Sequence, residues 1–589
     1  MRILLFLLSI IIHAAYALNP PLPQLQTNGS YIVESATGNV ILLRGVNMAA
    51  KVSPFEFVNV SSALDVQRVT NPLVSQGFNV VRLAFIWDIF EPTPGNYNWT
   101  YIQHYKQFIH ILNDVGIYTM VDFHQDGFSR FSLGGCGEGF PQFVIPAGNQ
   151  STPVNQSDIY EISMNGCIGW GIKQRMDVLE VGRERGTQSF LFTSLITPGN
   201  PIRLAFINML KVVGAYLSDG GVVGIVGFDI LNEPVVVSSS FYNEAISTIK
   251  ASGFENALFF VEPTIQVSKT DFLALPSNLT NVVFTPHYYP LSATLDQLMQ
   301  QITFFVNNGL DPWNATKTCL TIGYAMNALQ TGILLAAQEG TSVSLINELH
   351  GLLSSTFAVA STPCQNPSTL ITSPAQTAAI ILALQTAFNA PQIGLLALLQ
   401  ALLTNIHPYV STDIVGLYKL SQSANIPMLL GEFGIEREGK YIDPATYTTS
   451  IYDALDYLFV GSTQWAYLPQ WTLELKDGWN LEDFSIYNPI TNQWNKNFVP
   501  NRPYPKITAG IPMSLSFASV PVFKLSYTYK ARGGSGVTEI VFNRKDECPG
   551  GKGKVDVSTD KVSCVFGDFI IHCTSMVDIE VTITAFCIA

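Results

Sequence analysis

Two glutamates stand in settings that suit bond cleavage. Glu233 closes the stretch Gly227-Phe228-Asp229-Ile230-Leu231-Asn232-Glu233-Pro234, and Glu432 sits in Leu429-Leu430-Gly431-Glu432-Phe433-Gly434. Glycosidic bond cleavage needs one carboxylic acid to protonate the leaving oxygen and one carboxylate to attack or to activate water. Each of these glutamates follows a short apolar run, so a fold that gathers the ends of two strands would gather both carboxyls. A Glu before Pro can also simply cap a helix or pair with an arginine, so neither motif decides the matter alone.

The elements that would position them repeat along the chain. From residue 40 onward, short β-branched apolar runs alternate with longer amphipathic stretches, the pattern of strand-helix units in a parallel sheet. Eight such runs fall at 40–48, 79–85, 118–124, 226–231, 258–261, 282–287, 428–432 and 463–467. Parallel strands buried on both faces read as continuous hydrophobic segments, and these largely do. The predicted fold is therefore α/β, an eight-stranded (β/α)8 TIM barrel over residues 18–502. The polar residues of the runs collect at their C-terminal ends: His124, Asp126, Asn232, Glu233, His287, Tyr289 and Glu432. In a β/α barrel that end is the face where active sites form, and in the fourth and seventh strands Glu233 and Glu432 would face one another across it.

Two insertions interrupt the spacing. One spans roughly 134–199 and is rich in Gly, Asn and Ser. The other, about 291–427, holds apolar helical segments near 342–358 and 375–403, with no uninterrupted run of membrane-spanning length. Past residue 503 the pattern changes to short alternating strands with Gly-rich turns, which predicts a C-terminal antiparallel β-sandwich over 503–589.

Composition narrows the class. The 589 residues carry a formal net charge of -13 with 47% hydrophobic and 13% charged residues and no long Lys/Arg run, so nucleic acid is discarded as a partner. Arg2, the apolar stretch 3–12 and Ala15-Tyr16-Ala17 read as a signal peptide over 1–17, giving a secreted protein, with a lysosomal or other lumenal compartment as the alternative. The 8 cysteines then favour disulfides. Proximity suggests Cys136 with Cys167, Cys319 with Cys364, and two bridges among Cys548, Cys564, Cys573 and Cys587. Sequons at Asn28, Asn59, Asn98, Asn149, Asn155, Asn278 and Asn314 fit a glycoprotein.

Asn-Glu-Pro in the fourth strand and Gly-Glu-Phe-Gly in the seventh resemble the acid/base and nucleophile motifs of glycoside hydrolase family 5. Leu43-Arg44-Gly45-Val46-Asn47, Asp122-Phe123-His124-Gln125-Asp126, Pro286-His287-Tyr288-Tyr289 and Asp477-Gly478-Trp479-Asn480-Leu481-Glu482-Asp483 narrow the resemblance to its endoglycoceramidases. The resemblance implies a retaining endo-β-glycosidase that hydrolyses the linkage between oligosaccharide and ceramide, with no metal or organic cofactor. It also implies roles: Glu233 as acid/base, Glu432 as nucleophile, Asn232 on the sugar 2-hydroxyl and Tyr289 bonded to the nucleophile. Arg82, placed at the end of the second strand, would supply a further donor. His124, Asp126 and His287 would line the sugar pocket, Trp465 would stack beneath the reacting ring, and Lys51 and Trp170 would meet further sugar hydroxyls and faces.

The acid needs a raised pKa and the nucleophile needs donors that keep it ionised. The long second insertion departs from the family pattern. Its apolar faces would receive the ceramide chains or rest peripherally on a membrane or micelle surface, the alternative being an ordinary helical subdomain closing on itself. Two rival functions share these motifs: an exo-acting β-glucosidase on glucosylceramide or steryl glucoside, and an inactive glycolipid-binding protein.

Overall fold

The computed structural model describes residues 22–51, 60, 62–155, 167, 187–219, 224–264, 280–289, 351, 406–439, 442–480 and 482–588. Eight parallel strands form one sheet: β1 (Arg44–Met48), β2 (Val80–Ile86), β3 (Tyr118–His124), β4 (Ile225–Asp229), β5 (Leu258–Val261), β6 (Val282–Phe284), β7 (Leu429–Leu430) and β8 (Gly461–Gln464). The hydrogen-bonded order runs β7-β8-β1-β2-β3-β4-β5-β6. The remaining seam, β6 to β7, is closed by a parallel bridge between Phe284 and Met428 and by the short parallel pair His287–Tyr288 with Glu432–Phe433. This seam sets His287 directly beside Glu432 in register.

The expected run 40–48 is broken in two. Val40–Ile41 belongs to a different sheet and the barrel strand starts only at Arg44. Close strand contact is built in at Gly45, where a Cβ would lie 1.7 Å from the Val80 carbonyl oxygen. Glycine is the residue that permits such an approach.

Helices cover the barrel for reasons readable in their sequences. In Trp99–Asp114 the buried residues Tyr101, Ile102, Tyr105, Phe108, Ile109 and Leu112 repeat at helical spacing, and the Asn98 side chain caps the start by accepting from the Tyr101 N–H. Tyr105 meets Phe85 of β2 edge to face, at 5.4 Å between centroids. Burying each such side chain contributes about 1.5–3 kcal/mol. Pro201–Ser218 starts with Pro at its first turn and the Asn200 cap, and Pro444–Leu458 starts likewise after Asp443. Helix Ile406–Ser423 lies within the expected second insertion, yet it buries Val410, Ile414 and Leu417 and packs on Pro444–Leu458 as a barrel helix. The helical segments expected at 342–358 and 375–403 lie outside the described residues, as does the leader at 1–17.

The C-terminal part is a sandwich of two antiparallel sheets. A four-stranded sheet orders Gly510–Ala518, Lys524–Ala531, Ile579–Cys587 and Gly553–Val557. The opposing seven-stranded sheet contains Tyr504–Thr508, Val537–Val541, Ile570–Ser575 and Val562–Phe566. Leu525, Tyr527, Ile540, Ile571 and Ile583 fill the space between them. The other three strands of that sheet come from the opposite end of the chain: Leu25–Asn28, Tyr31–Glu34 and Val40–Ile41. The division expected at residue 503 thus misses an N-terminal hairpin that pairs with Tyr504–Thr508 through Val40 and Ile41.

Disulfides join Cys136 to Cys167, Cys548 to Cys587 and Cys564 to Cys573. The expected pair Cys319 and Cys364 lies outside the described residues.

A buried ion group locks the sandwich to the barrel. Asp456, on the helix Pro444–Leu458, accepts from Arg44 of β1 and, at 2.8 Å, from Nε of Arg502, which leads into the sandwich. Removing one partner of a buried ionic group strands the others without compensation. Asp456→Ala is therefore expected to destabilise the chain by about 3–5 kcal/mol, measured as a shift of the denaturant midpoint.

Candidate active site

The mouth of the barrel is organised by one guanidinium. Arg82 is the third residue of β2, inside the strand and not at its end as the sequence suggested, and its side chain is fully buried. Its Nε lies 2.8 Å from Asp229 Oδ2, its Nη2 3.0 Å from both Asp122 Oδ1 and Glu262 Oε1, and its Nη1 2.6 Å from Glu432 Oε1. Nη1 also donates to Asn47 at 3.1 Å and Nη2 to Asn232 at 2.8 Å. The guanidinium thus ties residues of β1, β3 and β4 to residues just beyond β4, β5 and β7. Its planar fork of five N–H donors suits this use.

Glu233 and Glu432 meet. One carboxylate oxygen of each, together with a ring nitrogen of His287, lies within 4.8 Å of the others. That proximity accords with the about 5–5.5 Å between carboxyl groups of retaining glycosidases and lies below the about 6.5–9.5 Å of inverting ones. Glu432 receives Arg82 on one oxygen and the Tyr289 hydroxyl on the other at 3.0 Å. Glu233 has its Oε1 3.1 Å from His287 Nδ1, and its backbone N–H donates to Glu262 Oε2 at 2.8 Å. The Glu233 backbone is in the left-handed region, at φ 41°. Non-glycine residues adopt this conformation rarely, and often at functional sites. Asn232 is held by its neighbours: its Nδ2 donates to the Gln125 carbonyl at 2.9 Å, and Gln125 Nε2 donates back to the Asn232 carbonyl at 2.8 Å.

A second group flanks this centre. Lys51 Nζ lies 2.7 Å from Asp126 Oδ2 and above the rings of Trp465 and Trp479, while Glu482 is 3.9 Å away. His124 stacks on Trp465, with centroids 5.7 Å apart and planes 7° from parallel, and its Nδ1 is 2.8 Å from Asp122 Oδ2. The loop carrying Asp477 and Trp479 is tied to Lys51 by a backbone bridge at Gly478. Of the residues singled out from the sequence, the cleft gathers Lys51, Arg82, His124, Asp126, Asn232, Glu233, His287, Tyr289, Glu432 and Trp465. Trp170 lies outside the described residues.

Electrostatics divide the site in two. Burial disfavours every charge here, but Asp122, Asp126 and Glu138 outweigh it at His124 and raise its imidazole to about 9. Burial also pushes the His287 imidazole down, and Glu262, Glu432 and Glu233 reverse this so that it rises well above its ordinary value. The donors expected on Glu432 are present in Arg82 and Tyr289, but the raised carboxyl expected at Glu233 is not found. At Glu233 burial is outweighed by the hydrogen bond and charge of His287, which hold the carboxyl below its ordinary value. At Glu432 burial, with Glu233 adding to it, pushes the carboxyl up against His287 and Arg82. The shifts at Glu233 and His287 both favour the proton on His287, one hydrogen bond from Glu233.

Among the described residues, three groups of His and carboxylates are close enough to share a ligand: His124 with Asp126 and Glu138, Asp229 with Glu262 and His287, and Glu233 with His287 and Glu432. In each, Lys51 or Arg82 already supplies positive charge at 2.6–2.8 Å.

Sequence reading missed Asp122, Glu138, Asp229 and Glu262 as members of the site. Asp122 and Asp229 lie inside the quoted motifs. Glu262 carried a signal of its own, since Phe260-Val261-Glu262-Pro263 repeats the apolar run ended by Glu-Pro that marks Glu233.

Two family models match the chain: cellulase of glycosyl hydrolase family 5 over residues 35–160, and the glycoside hydrolase family 5 C-terminal domain over 502–579. Over these two segments the chain is similar to glycoside hydrolase family 5. Among curated proteins, it is 27% identical over 300 residues to endoglycoceramidase I of Rhodococcus hoagii (strain 103S), covering 47% of this chain and 54% of that one. It is 32% identical over 127 residues to ergosteryl-beta-glucosidase of Saccharomyces cerevisiae, covering 17% and 16%. The chain spans about half the length of the first of these relatives and less of the second. Among solved structures, endo-glycoceramidase II from Rhodococcus sp. in complex with ganglioside GM3 superposes with a TM-score of 0.54 at 16% identity over 95% of this chain and 100% of that one. Sterylglucosidase 1 of Cryptococcus neoformans gives 0.62 at 13% identity over 97% and 98%. At these identities the structures bear on the fold.

Burial, with Asp126 and Asp88 adding to it against Lys51 and His124, raises the Glu138 carboxyl from 4.5 to about 7. A carboxyl raised by folding lends stability that is full below its unfolded pKa and is lost as pH climbs through the folded one. Glu138→Gln keeps the shape without the charge. Its melting temperature relative to the wild type is expected to rise between pH 5 and pH 8, read by calorimetry at both values.

Proposed function

We propose that this chain is a retaining endo-β-glycosidase that hydrolyses the linkage between oligosaccharide and ceramide in glycosphingolipids. The observation that carries the reading is the approach of carboxylate oxygens of Glu233 and Glu432 to within 4.8 Å at the barrel mouth, the short separation of a retaining pair and not the wider one of an inverting pair. Glu432 attacks the anomeric carbon while Glu233 gives its proton to the departing ceramide oxygen, leaving a glycosyl ester on Glu432. Glu233 then takes a proton from water, and that water's oxygen displaces Glu432 and restores both carboxyls. Arg82 and Tyr289 stabilise the carboxylate that Glu432 regains. Asn232 holds the 2-hydroxyl, Trp465 lies beneath the reacting ring, and Lys51, Asp126, His124 and Trp170 meet further sugar groups.

The ceramide end of the reading is supported by the Rhodococcus relative and by the quoted motifs. The three described disulfides and the apolar leader support a secreted enzyme. The apolar sequence of residues 291–405 supports a peripheral contact with a membrane or micelle surface. A second reading, a β-glucosidase on steryl glucoside, is supported by the similarity to the Saccharomyces ergosteryl-beta-glucosidase.

Incubation with a panel of gangliosides, neutral glycolipids and steryl glucoside, followed by mass analysis of the released sugars, separates these. Intact oligosaccharide is expected; free glucose released only from monosaccharide lipids would turn the assignment to the second reading. Glu432→Gln is expected to abolish turnover, and a variant as fast as the wild type would remove the mechanism. Glu233→Gln is expected to lose about 10²–10⁴-fold on glycolipid and far less on substrates whose leaving group departs unprotonated, measured as kcat/KM on each.

A further inference from the structure

We infer that Glu262, just beyond the end of β5, is a positioning residue for the acid step, fixing Glu233 through its backbone and, by way of His287, through its carboxyl. The inference rests on the reading of Glu233 as acid/base. Glu262 is 3% exposed and both of its oxygens are committed. Oε2 accepts the Glu233 backbone N–H at 2.8 Å, which holds that residue in its left-handed conformation. Oε1 accepts Arg82 Nη2 at 3.0 Å and lies 3.1 Å from His287 Nε2. The other ring nitrogen, Nδ1, is 3.1 Å from Glu233 Oε1. One carboxylate therefore grips both ends of the proposed acid, and Tyr242 fixes its strand end by donating to the Glu262 carbonyl at 2.7 Å.

The spacing also confines a proton. His287 Nε2 and Glu262 Oε1 lie 3.1 Å apart, and lone pairs on both would repel at that distance, which favours a proton on the imidazole or on the carboxyl. With Nε2 so occupied, Nδ1 can donate to Glu233 when that carboxyl has given up its proton to the leaving group. The charged groups facing this pair are Arg82 from β2, Asp122 from β3, Asp229 from β4, Glu233 beyond β4 and Glu432 beyond β7. With His124 of β3 beside Asp122, three cations answer five carboxylates, Glu262 included, and the negative excess favours retention of the proton. Burial, reinforced by Asp229, pushes the Glu262 carboxyl up in the same sense, against His287 and Arg82.

The test compares leaving groups on one sugar. In Glu262→Ala, kcat/KM for phenyl β-lactoside, which needs protonic assistance, is expected to fall about 10²-fold or more. For 2,4-dinitrophenyl β-lactoside, which does not, a fall below about 10-fold is expected on the same basis. The alkaline limb of the phenyl lactoside profile is expected at lower pH, because the group that holds the proton has lost a negative charge. Glu262→Gln retains an oxygen for the Glu233 N–H and loses the charge. It should shift the limb with a smaller loss of rate, and it serves as the test if the alanine variant does not fold.

Equal losses on both lactosides, or an unmoved limb in a folded variant, would overturn the inference. A wild-type enzyme that cleaves aryl lactosides but not lactosylceramide would refute the ceramide reading alone and leave this comparison in force. A wild type that cleaves no β-lactoside would remove both.

Discussion

The site depends on a single buried cation. Arg82 sits among Asp122, Asp229, Glu262 and Glu432 with no solvent exposure of its side chain. Four carboxylates packed this closely would repel one another and refuse ionisation without it. The reverse holds as well, since a guanidinium cannot lose its proton to escape burial and so must be met by anions. The arrangement therefore forms as a whole. Because Arg82 lies within a strand whose neighbours are fixed by register, its donors point at places set by the sheet, and the flanking side chains take their positions from those donors.

This mutual dependence gives the two glutamates unequal surroundings. Glu432 is bound by Arg82 and Tyr289, neither of which ordinarily gives up its proton near neutral pH. Glu233 is bound by His287, a group that can carry a proton or release it. The difference lies in the partners and not in the glutamates: His287 holds the Glu233 carboxyl below its ordinary value, while burial and Glu233 push Glu432 up against Arg82 and His287.

The barrel was legible in the sequence because its strands are buried on both faces and read as unbroken apolar runs, and because polar residues closed those runs. The third and fifth strands fall at the expected residues, 118–124 and 258–261. Less legible were features that depend on pairing over long range. The run at 40–48 looks continuous, yet its first residues pair with Tyr504–Thr508 and its last with β2; hydrophobicity alone does not mark the switch between sheets. Arg82 was recognised as a donor but misplaced at a strand end, because an arginine inside an apolar run makes sense only once its four carboxylates are seen around it. Glu262 escaped notice since the run before it, Phe-Phe-Val, ends one residue short of it and no second motif drew attention there. Within the sandwich, Tyr504–Thr508 and Gly553–Val557 carry weak strand signals, the first broken by Pro505 and the second alternating Lys and Asp with Val.

The N-terminal hairpin has a consequence for how the chain is made. Its strands are among the first residues of the described chain to leave the ribosome, and their sheet partner at 504–508 is among the last. Vectorial synthesis allows the central strand-helix units to assemble early, but residues 25–41 must wait with an unsatisfied edge until residues 504–508 have emerged. The seven-stranded sheet is thus a clasp that fastens only after every strand of the barrel has been made.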